Sequence, residues 1–356
     1  MDNTLIVLDS FEYKNKESEL SEFIGSLCNP IFVYTKYENK TTEFFQRMRF
    51  IGGFFTHISY WLLSLAYSFS LLKYKNINNV IFINPIVGIF YAGIVRILHI
   101  KKNITIAGFL FEKKRNVFYY NLRKIMVNFC YGLVNKIIVY GHEELEAYSK
   151  EFPLLKNKFY FVQYGKDYSY KEIIDFYYPN KYIASGGRSN RNFETLCDAF
   201  EIYTKREDKY DCLVATRPEC VTQNMEKSNV KFIFGIVLNQ FGSFIKGADF
   251  FVLPLKNIGL SAGHMAMMEA MSLKIPVIVT DIPAIRDYVS DEHVFFYKPD
   301  DPRSLCDTML FVTNNLESKM VKNKVIAAYN LYNNSFSFKA LLRRIVSVVS
   351  YNKDKQ

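Results

Sequence analysis

Short apolar runs alternate with helix-length stretches along the chain, and this alternation limits the possible fold more than any other feature. In the first half the runs are TLIVLDS (4–10), NNVIFINP (78–85), NITIAGFLF (103–111), KIIVYG (136–141) and KFYFVQYGKD (158–167). In the second they are KYIASGG (181–187), DCLVATRP (211–218), VKFIFG (230–235), ADFFVLPL (248–255) and IPVIVTD (275–281). Stretches such as IVGIFYAGIVRIL (86–98), NFETLCDAFEIY (192–203) and Met265 to Met271 lie between them and read as helices. Strands that are apolar throughout, each followed by a helix, are the pattern of a parallel sheet covered on both faces. The expectation is an α/β chain of doubly wound, Rossmann-like sheets. At 356 residues the chain exceeds what one hydrophobic core usually serves, so two domains are expected. They are placed at 1–167 and 181–334, joined by a linker at 168–180, with a helix-like tail at 335–356 expected to pack back on the first domain.

Hydrophobic content of 49% excludes a disordered chain. The six cysteines (Cys28, Cys130, Cys197, Cys212, Cys220 and Cys306) form no C-x-x-C pair, which fits reduced thiols in a cytoplasm better than a disulfide frame or a zinc site. TLIVLDS reads as a first strand rather than the apolar core of a signal peptide. The formal charge of +10 is compatible with nucleic acid, anionic lipid or phosphorylated small molecules, or with a merely lysine-rich surface. No nucleic-acid module signature occurs, and no nucleic-acid partner is expected.

Residues 50 to 72, FIGGFFTHISYWLLSLAYSFSLL, contain no Lys, Arg, Asp or Glu and lie between Arg47 and Arg49 on one side and Lys73 and Lys75 on the other. Three readings are open: a helix buried in the domain, a helix lying in a membrane interface, or a span. The basic cluster FEKKRN (111–116) suits a phosphorylated acceptor or anionic lipid as well as it suits plain solvation.

Two stretches of the second half carry chemistry. In SGGRSNRN (185–192) a strand ends in Gly186 and Gly187, which permit close backbone approach, and Arg188 and Arg191 follow with planar forks suited to phosphate oxygens. In GLSAGHMAMMEAMSLK (259–274), Ser261, Gly263, His264 and Met265 open a helix whose amides form an anion site. Glu269 is the acidic residue of that helix, placed about one turn in, where a carboxylate can accept from ribose hydroxyls. His142 also sits where a strand gives way to a helix, and reads as a capping or surface histidine before it reads as catalytic. PDDP (299–302) reads as a turn. No D-x-D motif occurs, and neither a metal nor a cofactor is expected.

Taken together, YIASGGRSNRNFETLCDAFEIY, VKFIFGIV, ADFFVLPL and GLSAGHMAMMEAMSLKIPVIVTDIPAIRDYV resemble the donor domain of retaining glycosyltransferases with the GT-B fold, family four. The resemblance covers about residues 159–335. It implies two facing Rossmann-like domains with a cleft between them and transfer of a sugar from a UDP- or GDP-sugar donor to a glycan or lipid-linked acceptor. Retention, and a role in cell-surface polysaccharide such as capsule or lipopolysaccharide, are part of what it implies. Arg188 and Arg191 match the basic pair that grips the diphosphate, and Glu269 matches a ribose-binding glutamate; these three are the catalytic candidates. The donor site so implied comprises Gly186, Gly187, Arg188, Arg191, Ser261, Gly263, His264, Met265 and Glu269. Ser261 stands where the family carries a first glutamate, although a Ser-x-Gly-His form resembles polysaccharide-assembly members. The glycine pair expected after the first strand is replaced by LDSFEYKNKE, so no acceptor or catalytic residue is carried into the first half. A cytoplasmic enzyme, peripheral on an anionic inner membrane face, is the resulting expectation. A nucleotide-sugar epimerase of the same fold, and a non-catalytic scaffold motivated by Ser261, remain open beside it.

Overall fold

The computed structural model describes residues 2–9, 11–37, 42, 44, 52–111, 117–168, 174–207, 209–226, 228–236 and 238–350. Two compact units are present, Met1–Tyr140 with Glu144–Val162 and Leu342–Gln356, and Gly141–Glu143 with Gln163–Leu341. In chain order the elements before the division are β1 (Asn3–Leu8), α1 (Glu17–Ile24), β2 (Asn29–Tyr34), α2 (Gly52–Ser70), β3 (Asn79–Phe82), α3 (Pro85–Ile97), β4 (Asn103–Ala107), α4 (Val117–Tyr131), β5 (Lys136–Val139), α5 (His142–Glu151) and β6 (Phe159–Phe161). Next come β7 (Tyr182–Gly186), α6 (Phe193–Thr204), β8 (Asp211–Ala215), α7 (Gln223–Glu226), β9 (Val230–Ile233), α8 (Leu238–Lys246) and β10 (Phe250–Leu253). The chain ends with α9 (His264–Ser272), β11 (Val277–Thr280), α10 (Pro283–Arg286), β12 (Phe295–Tyr297), α11 (Pro302–Asn315), α12 (Lys319–Ser335) and α13 (Phe338–Ser350).

Each unit holds a six-stranded parallel sheet, ordered β2-β1-β3-β4-β5-β6 in the first and β12-β11-β10-β7-β8-β9 in the second. Two of these strands leave little trace in the sequence. β2 begins Asn29–Pro30, and a proline is tolerated because the strand lies at the sheet edge, where β1 is its one neighbour. β12 has three residues at the opposite edge of the second sheet.

Strand alternation builds the core of the second unit. Ile183, Cys212, Val214, Phe250, Val252 and Ile278 face α6 and α11, while Ala184, Leu213, Phe251, Leu253, Val277 and Val279 face α8, α9 and α12. Helix α9 is buried nearly all round, and Met267, Met268 and Met271 contribute roughly 1.5–3 kcal/mol each through burial.

Within the uncharged 50–72 run, Gly52–Ser70 form α2 with its polarity reversed relative to a buried helix. Ser64 and Ser68 are fully buried, whereas Trp61 and Leu62 are 51% and 62% exposed. The physical reason is hydrogen bonding at close approach. Ser68 Oγ lies 2.7 Å from the Ser64 carbonyl and 3.0 Å from the Val87 carbonyl of α3, and Ser64 Oγ meets the Tyr37 hydroxyl at 2.7 Å. Small hydroxyls therefore fill the seam between α2 and α3, and the aromatic side is left outward. No helix among the described residues is long and apolar enough to cross a membrane. Arg47, Arg49 and 112–116 of the FEKKRN cluster lie outside the described residues.

Asn84 ties this region together. It caps α3 by accepting from the Ile86 and Val87 amides at 3.1 and 3.4 Å, and its Nδ2 donates to Thr35 Oγ1 at 3.2 Å and the Tyr37 hydroxyl at 2.7 Å. Replacing it by alanine removes a cap and takes one hydrogen bond from each of two hydroxyls, so Asn84→Ala is expected to lower unfolding stability by roughly 1–3 kcal/mol, read as a shifted urea midpoint at unchanged slope.

Candidate functional site

The second sheet reverses its winding between β7 and β10, neighbours that are far apart in sequence. Connections leave these two strands in opposite directions, opening a crevice at their carboxyl ends where such sheets bind ligands. The two expected stretches, SGGRSNRN and GLSAGHMA, are the loops that follow β7 and β10.

The loop after β7 is held in shape by its own backbone. Gly187 has φ +111°, a conformation that side-chain-bearing residues avoid, and its amide donates to the Ala215 carbonyl at 3.0 Å. Its carbonyl accepts from Thr216 Oγ1 at 2.7 Å. Gly186 is buried, and a Cβ there would fall 2.8 Å from both the Ala215 carbonyl oxygen and the Phe241 ring. Arg191 then pairs with Leu255 in an isolated antiparallel bridge, the Asn192 amide donates to the Pro254 carbonyl and the Lys256 amide to the Asn190 carbonyl, both at 3.0 Å. Thus the loops after β7 and β10 are stitched directly to one another.

Arg191 is half-buried and folds back on this loop, with Nε donating to the Gly186 carbonyl at 2.9 Å and Nη1 to the Ser189 carbonyl at 2.7 Å. Among the described residues no carboxylate pairs with it. Burial pulls its guanidinium down to about 10, still cationic at neutral pH. Arg188 is exposed and has no ion pair among the described residues.

Helix α9 starts without a side-chain cap. Its N-cap is Gly263 at φ +82°, with Leu253 and Leu255 side chains 3.0 Å from where a Cβ would stand. No acidic residue occupies the first turn, so the positive end of the helix dipole is not neutralised locally. His264 is buried against the Tyr288 ring, 4.0 Å between centroids, and Nε2 meets the Ala284 carbonyl at 2.9 Å. A carbonyl only accepts, so Nε2 carries the proton. Burial depresses the ring to about 4, leaving it neutral, and Arg191 is one of the charges acting on it. His264 is thus a packed, positioning histidine whose backbone amide opens the helix. Met265 is 47% exposed and its carbonyl accepts from the Tyr168 hydroxyl at 2.5 Å. Ser261 is half-buried, and Gly141 gives it room, since a Cβ at Gly141 would fall 2.6 Å from Ser261 Oγ.

Glu269 is half-buried one turn further along, and desolvation raises its carboxyl to about 7 against the opposing pull of Lys166. Among the described residues no donor bonds to this carboxylate. Lys166, Tyr168, Thr216 and Phe241 were not marked as site residues by the sequence, because their proximity arises from long-range packing with no local pattern to announce it. His142, grouped with the second unit, is exposed and bonded through its backbone amide and Nδ1 to the two Asp287 oxygens at 2.8 and 2.7 Å. PDDP forms the turn before α11, with Asp301 accepting from the Ser304 amide at 2.9 Å.

Residues 180–315 match the family described as glycosyl transferases group 1. The fold is GT-B. Over its length the chain is similar to a glycosyltransferase of Rickettsia africae (14% identity, TM-score 0.61, 99% of each chain covered). Anabaena HepE, solved with UDP-glucose, is similar at 10% identity and TM-score 0.62, with 98% and 99% of the two chains covered. The lipopolysaccharide outer core galactosyltransferase WaaB is similar at 14% identity and TM-score 0.56, with 98% and 99% covered. No curated protein matches the chain.

The raised carboxyl of Glu269 has a consequence for stability. An unfolded chain ionises this group near 4.5 and the folded chain near 7, so between those values the unfolded state holds fewer protons and stability falls as pH rises. Above about 7 the penalty is constant, at most about 3 kcal/mol. Glu269→Gln is expected to match the parent at pH 4 and to exceed it by roughly 1–3 kcal/mol at pH 8, measured by urea unfolding at both values.

Proposed function

We propose that this GT-B protein is a glycosyltransferase, moving a sugar from a nucleoside diphosphate donor to a glycan or lipid-linked acceptor. The observation that carries the reading is the stitched pair of loops at the switch point, which brings the Arg191 strand end and the uncapped start of α9 to one crevice. Transfer breaks the bond between the sugar and the diphosphate, building negative charge on the leaving group and oxocarbenium character on the sugar. Arg188, Arg191 and the amides from Gly263 to Met265 provide fixed positive potential for that leaving diphosphate. Because these groups are set before reaction, little reorganisation accompanies charge separation. Gly186 and Gly187 let the backbone approach the phosphates, and Glu269 accepts from the ribose diol.

A UDP-sugar is the favoured donor, since Anabaena HepE is solved with UDP-glucose. In this reading the anomeric configuration is retained and the cationic groups act without a metal. Hexosyl transfer in cell-surface polysaccharide assembly, on the inner membrane face, completes the proposal. Ser261 leaves the donor sugar without the family's first glutamate, so the sugar is recognised through other groups.

UDP at 100 times its Kd is expected to raise unfolding stability by about 2.7 kcal/mol. Arg188→Ala, Arg191→Ala and Glu269→Ala should each weaken binding by roughly tenfold or more, about 1.4 kcal/mol each, in the same thermal-shift titration. Unchanged UDP binding in all three defeats the site. Product analysis then separates transfer, which yields free UDP and a lengthened acceptor, from epimerisation, which yields an isomerised donor.

A further inference from the structure

The first unit turns apolar side chains outward on three neighbouring helices. On α4, Phe118, Leu122, Ile125 and Phe129 recur at helical spacing and are all exposed. Trp61 and Leu62 of α2 and Ile97 of α3 are exposed as well. A surface of this kind marks an apolar ligand or partner rather than scattered surface hydrophobics. It deepens into a cavity of about 510 Å³ whose walls include Trp61, Phe90, Gly93, Met126 and Phe129. Arg123 is the charged residue in those walls, its guanidinium 4.6 Å from the Phe111 ring centroid, and that of Arg96 stands 4.4 Å from the Phe129 ring.

Shape and charge select the occupant. If a methylene takes up about the volume of a liquid water, ~30 Å³, the cavity holds about 17 of them. A helix of a partner protein, ~10 Å across, fills a space of that volume with little more than one turn, too short a contact to hold it. One guanidinium in an otherwise apolar wall suits a hydrocarbon chain that ends in phosphate.

We infer that this cavity seats one hydrocarbon chain of an acceptor carried on a lipid phosphate, with the phosphate toward Arg123. That the lipid is the acceptor rests on the transfer reading above; the seating of the chain does not.

Trp61 is the chain's one tryptophan and lies in the cavity wall, so its emission reports occupancy. The probe is 12-bromododecyl phosphate, kept monomeric, with 2-bromododecyl phosphate as the comparison for depth. Saturable quenching is expected, stronger with the bromine at the chain end than beside the head. A Cβ at Gly93 meets Cys130 Sγ at 3.5 Å and nothing closer, so Gly93→Ala is expected to bind normally, whereas Gly93→Leu reaches into the cavity and should weaken binding about tenfold. Non-saturating quenching, equal quenching by the two bromine positions, or unchanged binding in a folded Gly93→Leu overturns the inference. So does quenching seen only with vesicles of brominated phosphatidylglycerol, which would indicate docking on a bilayer instead. The UDP-induced thermal shift reports the other unit separately. Its loss with Trp61 quenching intact defeats the transfer reading alone, and the reverse result defeats the lipid seat alone.

Discussion

The direct stitching of two crossover loops is the constraint on which the candidate site depends. Parallel strands send every following loop to the same end of the sheet, but at a switch point the two neighbouring loops diverge as their helices pass to opposite faces. Here the Arg191–Leu255 bridge and the flanking amides of Asn192 and Lys256 hold the two loops together. A further bond fixes Leu255 from behind, its amide donating to Thr280 Oγ1 at 2.8 Å at the end of β11. Asn192 Nδ2 reaches Asp300 Oδ1 at 2.6 Å before α11. Three consecutive strand ends and the turn after β12 therefore share one hydrogen-bonded frame, and the start of α9 inherits its position from it.

Much of this was legible from the sequence because it is local. Gly186 and Gly187 follow an apolar run, small residues precede a methionine-rich helix, and parallel topology follows from runs that are apolar on both faces. What was not legible depends on tertiary placement. The second strand is disguised by Pro30, which is harmless only at an edge, and edge status is a property of the finished sheet. Three residues of β12 are too few for any periodicity. The orientation of α2 defeats hydropathy altogether, because Ser64 and Ser68 face inward to bond carbonyls and a tyrosine while Trp61 and Leu62 face out. A hydropathy count sees the composition of such a helix and not its direction.

The sequence places His264 in the same candidate site as Arg188 and Arg191, and the structure gives them different parts. His264 is packed, neutral and bonded to a main-chain carbonyl, so its contribution to an anion site is its amide and its fit beneath Tyr288. Gly263 accounts for the local turn, and Leu253 and Leu255 explain why no larger residue could take its place. Glycine and histidine at these positions serve geometry, while the charge comes from elsewhere.

The manner in which Arg191 is held bears on what the crevice can do. A carboxylate partner would fix a guanidinium equally well but would cancel its field, and a buried ion pair presents little net charge to a ligand. Two carbonyl acceptors fix Arg191 while leaving a full positive charge in place. Burial makes that charge costly, which is visible in its lowered ionisation, and an arriving anion relieves the cost more than it would for a solvated arginine. Glu269 is the complementary case, a partly desolvated carboxyl among methionines with no bonded donor among the described residues. Hydroxyl groups offered there would stabilise its ionised form without neutralising Arg188 or Arg191. An arginine and a glutamate that are left unpaired with each other are what the proposed donor calls for, with a charged phosphate end and a neutral diol end.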